Sequence, residues 1–346
     1  MINELFVLGS AICFAVLLFW SFKYLPKENW QILAAVPFKK DETGSWYGVN
    51  LTLYGFLIAN AQVMALSIFF VLMGALRISH KDLTILSIGL LSVCLPASKI
   101  LAKIVEKKMN TFTVGGASFV GIILAPLIVW MFNVLLDKSI PIVPFLAAVS
   151  IAYALGEGVG RLACISFGCC YGKPLSKIHP FLARLFKHVC ISFEGKTKKV
   201  AYEAGLEGTK VLPVQPIASI LYVSTALVGV YLYLNEKYAI AFVLTIVVTQ
   251  GWRFFSEMLR ADYRGSRKIT AYQCMSLFAV LFAFVFQLFL PYTPQYHPDL
   301  LIGIKQLWDP VWIIFVQLVW VAMFLYLGRS RVISSTLVFN VRHDMI

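Results

Sequence analysis

The sequence predicts an all-α fold, a polytopic membrane bundle of about nine transmembrane helices with one small polar surface subdomain. Hydrophobic residues make up 60% of the 346 residues, and the mean hydropathy is +0.80. Charged residues make up only 14%, against about 25% in a soluble domain. The apolar residues form runs of the ~20 residues that cross a bilayer. Because lipid cannot satisfy backbone polar groups, these runs must be helical.

Nine apolar runs are long enough to be candidate spans. They cover residues 4–22, 51–76, 84–104, 114–136, 141–169, 215–234, 238–258, 270–290 and 309–328. The first run lacks a basic segment before it and a small-residue cleavage site after it, so we interpret it as a retained helix. The fifth run is interrupted by glycines near its C-terminal end.

One sizeable polar segment, residues 171–213, separates the fifth and sixth spans and is rich in lysine. Within it, residues 178–186 predict a short amphipathic helix on the membrane surface. Residues 189–211 alternate enough to predict a small strand pair. We see no internal repeat and no soluble domain.

The chain is basic, with a formal net charge of +13. Nucleic acid is not an expected partner, because no basic-aromatic module accompanies the charge. Attraction to anionic lipid head groups explains the excess of positive charge, since each basic residue near the membrane surface contributes ~1 kcal/mol of binding. The loops after spans one, three, five and seven, with the C-terminal tail, carry most of the Lys and Arg. The positive-inside rule predicts that this side is cytoplasmic.

The fifth span ends in an unusual polar segment, in which Glu157 and Arg161 lie four residues apart on one predicted helical face. A charged residue at membrane depth costs at least ~2.5–3.5 kcal/mol, so these two residues indicate a polar site inside the membrane. They form either a structural ion pair or an arginine fork for a phosphate, with Glu157 setting the orientation or basicity. Small residues around them favour close approach of a helix or a lipid: Gly156, Gly158, Gly160 and Gly168.

A second charged group ends the seventh span. Arg253, Glu257 and Arg260 are spaced by four and three residues, which predicts a ladder on one helical face. Snorkelling to the membrane interface is the alternative explanation. Two Arg/Glu groups on separate helices would form a pocket for an anionic lipid if they converged.

Three cysteines, Cys164, Cys169 and Cys170, lie beside the glycines of the fifth span. They contain no CxxC spacing, so a zinc or thioredoxin-like interpretation has little support. Small residues that allow close packing are the alternative, and the sequence predicts no metal site. Gly115, Gly116 and Ser118 open the fourth span and add another small-residue surface.

Several segments resemble, in order, the prolipoprotein diacylglyceryl transferases of bacterial inner membranes. The resemblance covers about residues 50–290. The matching segments are Tyr54-Gly55, Gly115-Gly116-Ala117-Ser118-Phe119, Gly160-Arg161 through Gly172, Pro213-Val214-Gln215, Arg253-Phe254-Phe255-x-Glu257-x-x-Arg260 and Thr270-Ala271-Tyr272-Gln273.

The resemblance implies a multi-pass inner-membrane enzyme that moves the diacylglyceryl group of phosphatidylglycerol to a cysteine thiol of a lipoprotein precursor. It implies phosphatidylglycerol or another anionic phospholipid as a partner, and no metal or cofactor. It also places the signature on the outer face, opposite to the side that the charge count predicts. By the same resemblance, residues 51–290 are the transferase-like core with 171–213 as its polar head. Residues 1–50 and 291–346 add one membrane helix each.

The resemblance also implies roles for individual residues. Arg161 and Arg260 bind the phosphate, while Glu157 or Glu257 orients an arginine or acts as a base. Tyr54 and Gln215 position the lipid. The other predicted substrate-binding residues are Gly115, Gly116, Ser118, Gly160, Cys164, Gly168 and Arg253.

Several positions depart from the family pattern. Val120 stands where the family has a histidine, Ile122 where it has a glycine, and Cys164 replaces the signature asparagine. Ala218 replaces a glutamate, and Pro216 and Ile217 break the motif before it. These departures leave two alternatives open. One is a paralogue that uses phosphatidylglycerol with a different acceptor, and the other is a non-catalytic lipid-binding membrane protein.

Overall fold

The computed structural model describes residues 1–40, 42–43, 46–107, 113–263, 269–290, 296–330 and 342–346. Within these ranges nine helices are long and apolar enough to cross a membrane, which confirms the predicted polytopic helical class. Residues 331–341 of the predicted C-terminal tail lie outside the described ranges. The nine helices are α1 (Ile2–Tyr24), α2 (Leu53–Ala75), α3 (His80–Glu106), α4 (Val114–Leu135), α5 (Ile142–Phe167), α8 (Val214–Leu234), α9 (Tyr238–Leu259), α10 (Ala271–Phe289) and α12 (Pro310–Leu327).

Helix α5 is the centre of the bundle and packs against α2, α8 and α9. Its glycines allow this close approach. A Cβ at Gly156 would lie 2.8 Å from Cβ of Ala65 on α2, and one at Gly158 would lie 2.9 Å from Cγ2 of Val223 on α8. Larger side chains at these two positions would push the neighbouring helices away from α5.

Three short helices complete the helical structure. They are α6 (Pro180–Phe186), α7 (Lys199–Ala204) and α11 (Leu300–Leu307). Helix α6 confirms the short helix predicted within residues 178–186. Helix α11 was not predicted, and it packs with α12 against α2.

The strand pair predicted within residues 189–211 is wrong. These residues, all of them described, contain single bridges from Val211 to Ile191 and to Pro174, with α7 between Ile191 and Val211. The physical reason lies in the turns. Gly195, Gly205 and Gly208 have φ angles of 116°, 63° and 69°, which turn the chain before a regular ladder can form.

A small sheet that the sequence analysis did not predict joins the segment between α1 and α2 to the residues that follow α12. Its order is β1 (Ile32–Lys40), β2 (Trp46–Thr52) and β3 (Arg329–Ser330), with both pairs antiparallel. Beside it, the Thr52 hydroxyl donates to the backbone oxygen of Gly328 at 2.9 Å. The end of α12 is thereby attached to the start of α2, next to Tyr54.

A buried lysine fixes the polar segment to the N-terminal region. Lys198 Nζ donates to the backbone oxygen of Ser166 at 2.6 Å, to that of Leu25 at 3.2 Å and to Glu28 Oε1 at 3.2 Å. Burial lowers the pKa of Lys198, and the Glu28 carboxylate acts in the opposite direction. This contact holds residues 25–28, which follow α1, against the C-terminal end of α5.

Candidate functional site

The site is built around Glu157 in α5. Its Oε1 accepts hydrogen bonds from Nη2 of Arg161 and Nη2 of Arg253, and its Oε2 accepts one from the Tyr153 hydroxyl. Arg161 lies one turn further along α5, whereas Arg253 comes from α9. Two guanidinium groups share one carboxylate, so the group carries a formal net charge of +1. We call Arg161, Arg253 and Glu157 the inner arginine group.

A second layer of polar side chains supports the inner arginine group. The Tyr153 oxygen accepts hydrogen bonds from Gln250 Nε2 at 3.0 Å and from Arg253 Nη2 at 3.2 Å. Sequence reasoning missed Tyr153 and Gln250. The signal for Tyr153 was its position four residues before Glu157, on the same face of α5.

The glycines of α4 have different roles. A Cβ at Gly115 would lie 2.8 Å from Nη1 of Arg253 and 2.9 Å from Cδ1 of Tyr272. The absence of a side chain at Gly115 therefore leaves space for the guanidinium of Arg253. A Cβ at Gly116 would instead lie 2.7 Å from Cβ of Leu101, in the contact between α4 and α3. The Ser118 hydroxyl donates to the backbone oxygen of Gly115 at 3.1 Å.

Both arginines of the inner group keep a hydrogen-bond donor without a partner. Nε of Arg161 and Nε of Arg253 are buried and have no acceptor within the described part of the chain. The two side chains are 14% and 10% exposed. A net positive charge with spare buried donors is the arrangement that an anionic ligand requires, since a guanidinium has five N–H donors and no acceptor.

Arg260 lies in a separate group at the end of α9. Its Nε and Nη2 donate to the two oxygens of Asp262 at 2.7 and 2.6 Å, and its Nη1 lies 3.6 Å from Oε1 of Glu257. One guanidinium with two carboxylates gives a formal net charge of −1. We call Arg260, Glu257 and Asp262 the outer arginine group. Arg253 and Glu257, predicted as neighbours in one ladder, therefore belong to different groups.

The chain on both sides of Arg260 pairs with the loop that follows α5. The backbone nitrogen of Lys173 donates to the oxygen of Leu259 at 2.9 Å, and that of Ala261 donates to the oxygen of Tyr171 at 3.0 Å. Residues 171–173 and 259–261 thus lie side by side. This pairing joins the end of the glycine-rich segment to the end of the arginine motif.

The three cysteines come together at the end of α5. Gly168 adopts the left-handed conformation, with φ of 69°, and ends the helix, and Cys170 adopts it again with φ of 57°. The sulfur atoms of Cys164, Cys169 and Cys170 all lie within 4.8 Å of one another. We call these three residues the thiol cluster. Gln215 Nε2 supports it by donating to the backbone oxygen of Cys169 at 2.8 Å.

The thiol cluster lies between the two arginine groups. Cys170 interacts electrostatically with both Arg161 and Arg260, and Tyr54 interacts with all three cysteines. The Tyr54 ring packs edge-on against Phe167, with 5.8 Å between ring centroids. The predicted lipid-positioning residue Tyr54 therefore lies at the same place as the predicted phosphate ligands.

A comparison with protein families matches residues 45–289 to prolipoprotein diacylglyceryl transferase. The chain belongs to the prolipoprotein diacylglyceryl transferase family. The match confirms the predicted resemblance and includes both arginine groups and the thiol cluster. A comparison with curated proteins found no match. The protein is therefore a membrane transferase of the prolipoprotein diacylglyceryl transferase type.

The residues that depart from the family pattern lie on helices α4, α5 and α8. Val120 is half-buried on α4, two residues after Ser118, and Ala218 is buried on α8. Cys164, which also departs from the pattern, is a member of the thiol cluster. Among the predicted site residues, Gly160 only approaches α2, where a Cβ would make ordinary contacts of 3.6 Å with Ile58 and 3.8 Å with Ala61. The individual roles assigned from the resemblance stay predictions.

Proposed function

We propose that this protein transfers the diacylglyceryl group of phosphatidylglycerol to the cysteine thiol of a lipoprotein precursor, in the inner membrane of a bacterium. The observation that carries the proposal is the shared carboxylate of Glu157. Arg161 and Arg253 exceed it by one positive charge, and each has an unpartnered buried donor. A phosphodiester head group carries the one negative charge that balances this excess.

The inner arginine group suits the departing phosphate. The acceptor thiol loses its proton to water, and its sulfur attacks the glyceryl carbon that bears the phosphate oxygen, so a C–S bond forms and the C–O bond breaks. The bonding electrons remain on the phosphate oxygen, and glycerol phosphate leaves with the developing charge. Cationic donors fixed in a low-dielectric site stabilise such charge strongly, because no solvent has to reorganise.

The remaining side chains would bind and orient the substrates. Both oxygens of Glu157 are already engaged by Arg161, Arg253 and Tyr153, which supports a positioning role over proton abstraction. Tyr54 lies at the thiol cluster, where its hydroxyl would contact a lipid oxygen. Gln215 supports the backbone of the same cluster. The family resemblance gives Arg260 a contact with the phosphate, whereas its bonds to Asp262 favour holding a loop, and a variant of Arg260 separates the two roles.

The test is a transfer assay with purified protein, radiolabelled phosphatidylglycerol and a peptide carrying a lipobox cysteine. We expect Arg161→Ala to lower the transfer rate by about 10²–10³-fold, as loss of one preorganised charge-stabilising donor does. Arg184→Ala, which removes an exposed arginine of α6, is the matched control and should leave the rate unchanged. Equal rates for the two variants would remove Arg161 from the mechanism.

A second candidate keeps the donor and changes the acceptor, and it is favoured by Val120 and Ala218 at positions where the family has ionisable residues. It predicts that the gene fails to rescue a strain depleted of its lipoprotein transferase. It also predicts a new diacylglyceryl product in lipid mass spectrometry. Lipidated lipobox peptide as the sole product would exclude it. Arg161-dependent release of glycerol phosphate would also eliminate the non-catalytic alternative, which predicts lipid binding without turnover.

A further inference from the structure

The thiol cluster has the dimensions of a metal site. Cys164, Cys169 and Cys170 each direct one sulfur to a region no wider than 4.8 Å. Sulfur ligands of tetrahedral zinc lie about 2.3 Å from the metal, which places them about 3.8 Å from one another. A contraction of about 1 Å or less would therefore complete three of the four ligand positions. Among the described residues, no other His, Cys, Asp and Glu side chains form such a group.

The backbone that creates the cluster is fixed on several sides. The nitrogen of Cys169 donates to the oxygen of Cys164 at 3.1 Å, which folds the turn back over the last turn of α5. Cys170 holds a left-handed conformation, with φ of 57°, that L-residues rarely adopt. Gln215 fixes the oxygen of Cys169. The three thiols therefore lie together before any ligand binds, which lowers the free-energy cost of binding a metal ion.

Binding a metal ion at the cluster requires the thiolate form of the cysteines, so it releases the thiol protons. Arg161 and Arg260 interact with Cys170, and Lys199 interacts with Cys169 and Cys170. Three thiolates and one divalent cation have a net charge of −1, and these basic side chains lie near that charge.

We propose that Cys164, Cys169 and Cys170 bind a thiophilic divalent cation such as Zn²⁺, and that its fourth position takes the thiol of the acceptor. This inference rests on the proposed function for the identity of the acceptor. The cation supplies what Val120 lacks, since the aliphatic side chain of valine has no basic atom that could take the thiol proton. A thiol that coordinates a divalent cation is deprotonated outright.

The step balances without a redox change. The acceptor thiol coordinates the cation as a thiolate and releases its proton to water. A sulfur electron pair then forms the C–S bond to the glyceryl carbon, while the C–O bond breaks and its electrons leave with glycerol phosphate. The product sulfur is a neutral thioether and a weak ligand, so it dissociates and the fourth position opens again.

The first experiment measures metal binding in the full-length protein in detergent. We expect about one Zn²⁺ per chain by elemental analysis, and a thiolate-to-cobalt charge-transfer band after substitution with Co²⁺. Cys169→Ser should lower the affinity for Zn²⁺ at least tenfold, and Cys164→Ser should do the same. The matched controls are Cys94→Ser and Cys190→Ser, which lie outside the cluster and should bind normally. Binding that is equal in all four variants, or absent from the unaltered protein, overturns the proposal.

A misfolded variant is distinguished by its thermal unfolding. Cys164 and Cys169 are changed one at a time, and all proteins are melted in EDTA. A loss of Zn²⁺ binding counts only for a variant that melts at the same temperature as the unaltered protein under these conditions. If every cluster variant misfolds, alkylation of the folded protein replaces them. Zn²⁺ should then protect the cluster cysteines, and not Cys190, from iodoacetamide by mass spectrometry. Equal labelling with and without Zn²⁺ overturns the proposal.

The second experiment tests the fourth position. Adding a lipobox-cysteine peptide to the Co²⁺-loaded protein should intensify and shift the charge-transfer band, and the matching serine peptide should not. An unchanged band with the cysteine peptide overturns this part of the inference. Full transfer by metal-free protein overturns the metal site and leaves the proposed function standing. A metal site that responds to the thiol peptide, in a protein that transfers nothing from phosphatidylglycerol, overturns the proposed function and leaves the metal site standing.

Discussion

The two arginine groups contain the same residue types in opposite proportions. In the inner group, Arg161 and Arg253 share the single carboxylate of Glu157. In the outer group, Arg260 contacts the two carboxylates of Glu257 and Asp262. The formal charges are therefore +1 and −1. Among the described residues, the first group has an excess positive charge and two buried donors without a partner, whereas the second has an excess negative charge and one buried acceptor, Oε2 of Glu257, without a partner.

We propose that the sign of this charge suits the inner group to an anionic ligand and the outer group to joining two loops. Both groups are nearly buried, and both consist of an arginine spaced three or four residues from a glutamate. Only the pairing across α5 and α9 gives the inner group its excess charge. Three substitutions, in order of expected effect, test the distinction.

The largest effect is expected at Glu157. Glu157→Ala leaves two buried guanidinium groups without their carboxylate, so the free energy of unfolding should fall by about 3–5 kcal/mol. The matched variant Glu257→Ala leaves Arg260 with both bonds to Asp262 and should cost clearly less. Unfolding in detergent, followed by tryptophan fluorescence, measures both. Phosphatidylglycerol should restore the stability of Glu157→Ala more than phosphatidylcholine does. Equal gains in stability with the two lipids would contradict an anion site.

An intermediate effect is expected at Arg260. Arg260→Lys keeps the charge and loses the paired bonds to Asp262, so stability should fall by about 1.5–3 kcal/mol. If the outer group only joins two loops, the affinity for phosphatidylglycerol vesicles should stay unchanged. If Arg260 instead contacts the phosphate, as the family resemblance implies, lipid affinity should fall together with stability. Measuring both quantities in one variant decides between the two roles.

The smallest effect is expected from added methyl groups. In Gly115→Ala the new Cβ meets Arg253 and Tyr272 at under 3 Å, so the guanidinium must shift away from Glu157. We expect about a tenfold loss of transfer rate, or ~1.4 kcal/mol. Gly251→Ala, on α9, places its methyl where no other atom lies within 4 Å and is the matched control. Transfer rates that fall equally would contradict a displacement of Arg253 as the cause.

The membrane spans could be predicted from the sequence because hydropathy and length decide them. All nine predicted runs overlap the spans of the structure. The sheet could not be predicted, because β3 is two residues long and pairs with a strand that lies far away along the chain. In the polar segment, glycines with positive φ overrode an alternating pattern that favoured strands.

The candidate site was only partly predictable. Helical spacing correctly paired Glu157 with Arg161, because both lie on one helix. The same rule paired Arg253 with Glu257, and there the contact between α5 and α9 gave Arg253 a different partner. The thiol cluster has no CxxC spacing. Its three sulfurs meet because two left-handed residues, Gly168 and Cys170, reverse the chain, and spacing alone does not encode this.

The hydrogen bond between Thr52 and Gly328 has a consequence for the biogenesis of the protein. These residues are 276 positions apart, yet their hydrogen bond fixes the end of α2 that carries Tyr54. During synthesis, α2 is made long before α12, so this end of α2 stays unanchored until α12 has been inserted. A nascent chain that still lacks α12 would insert its earlier helices while the end that carries Tyr54 has no anchor.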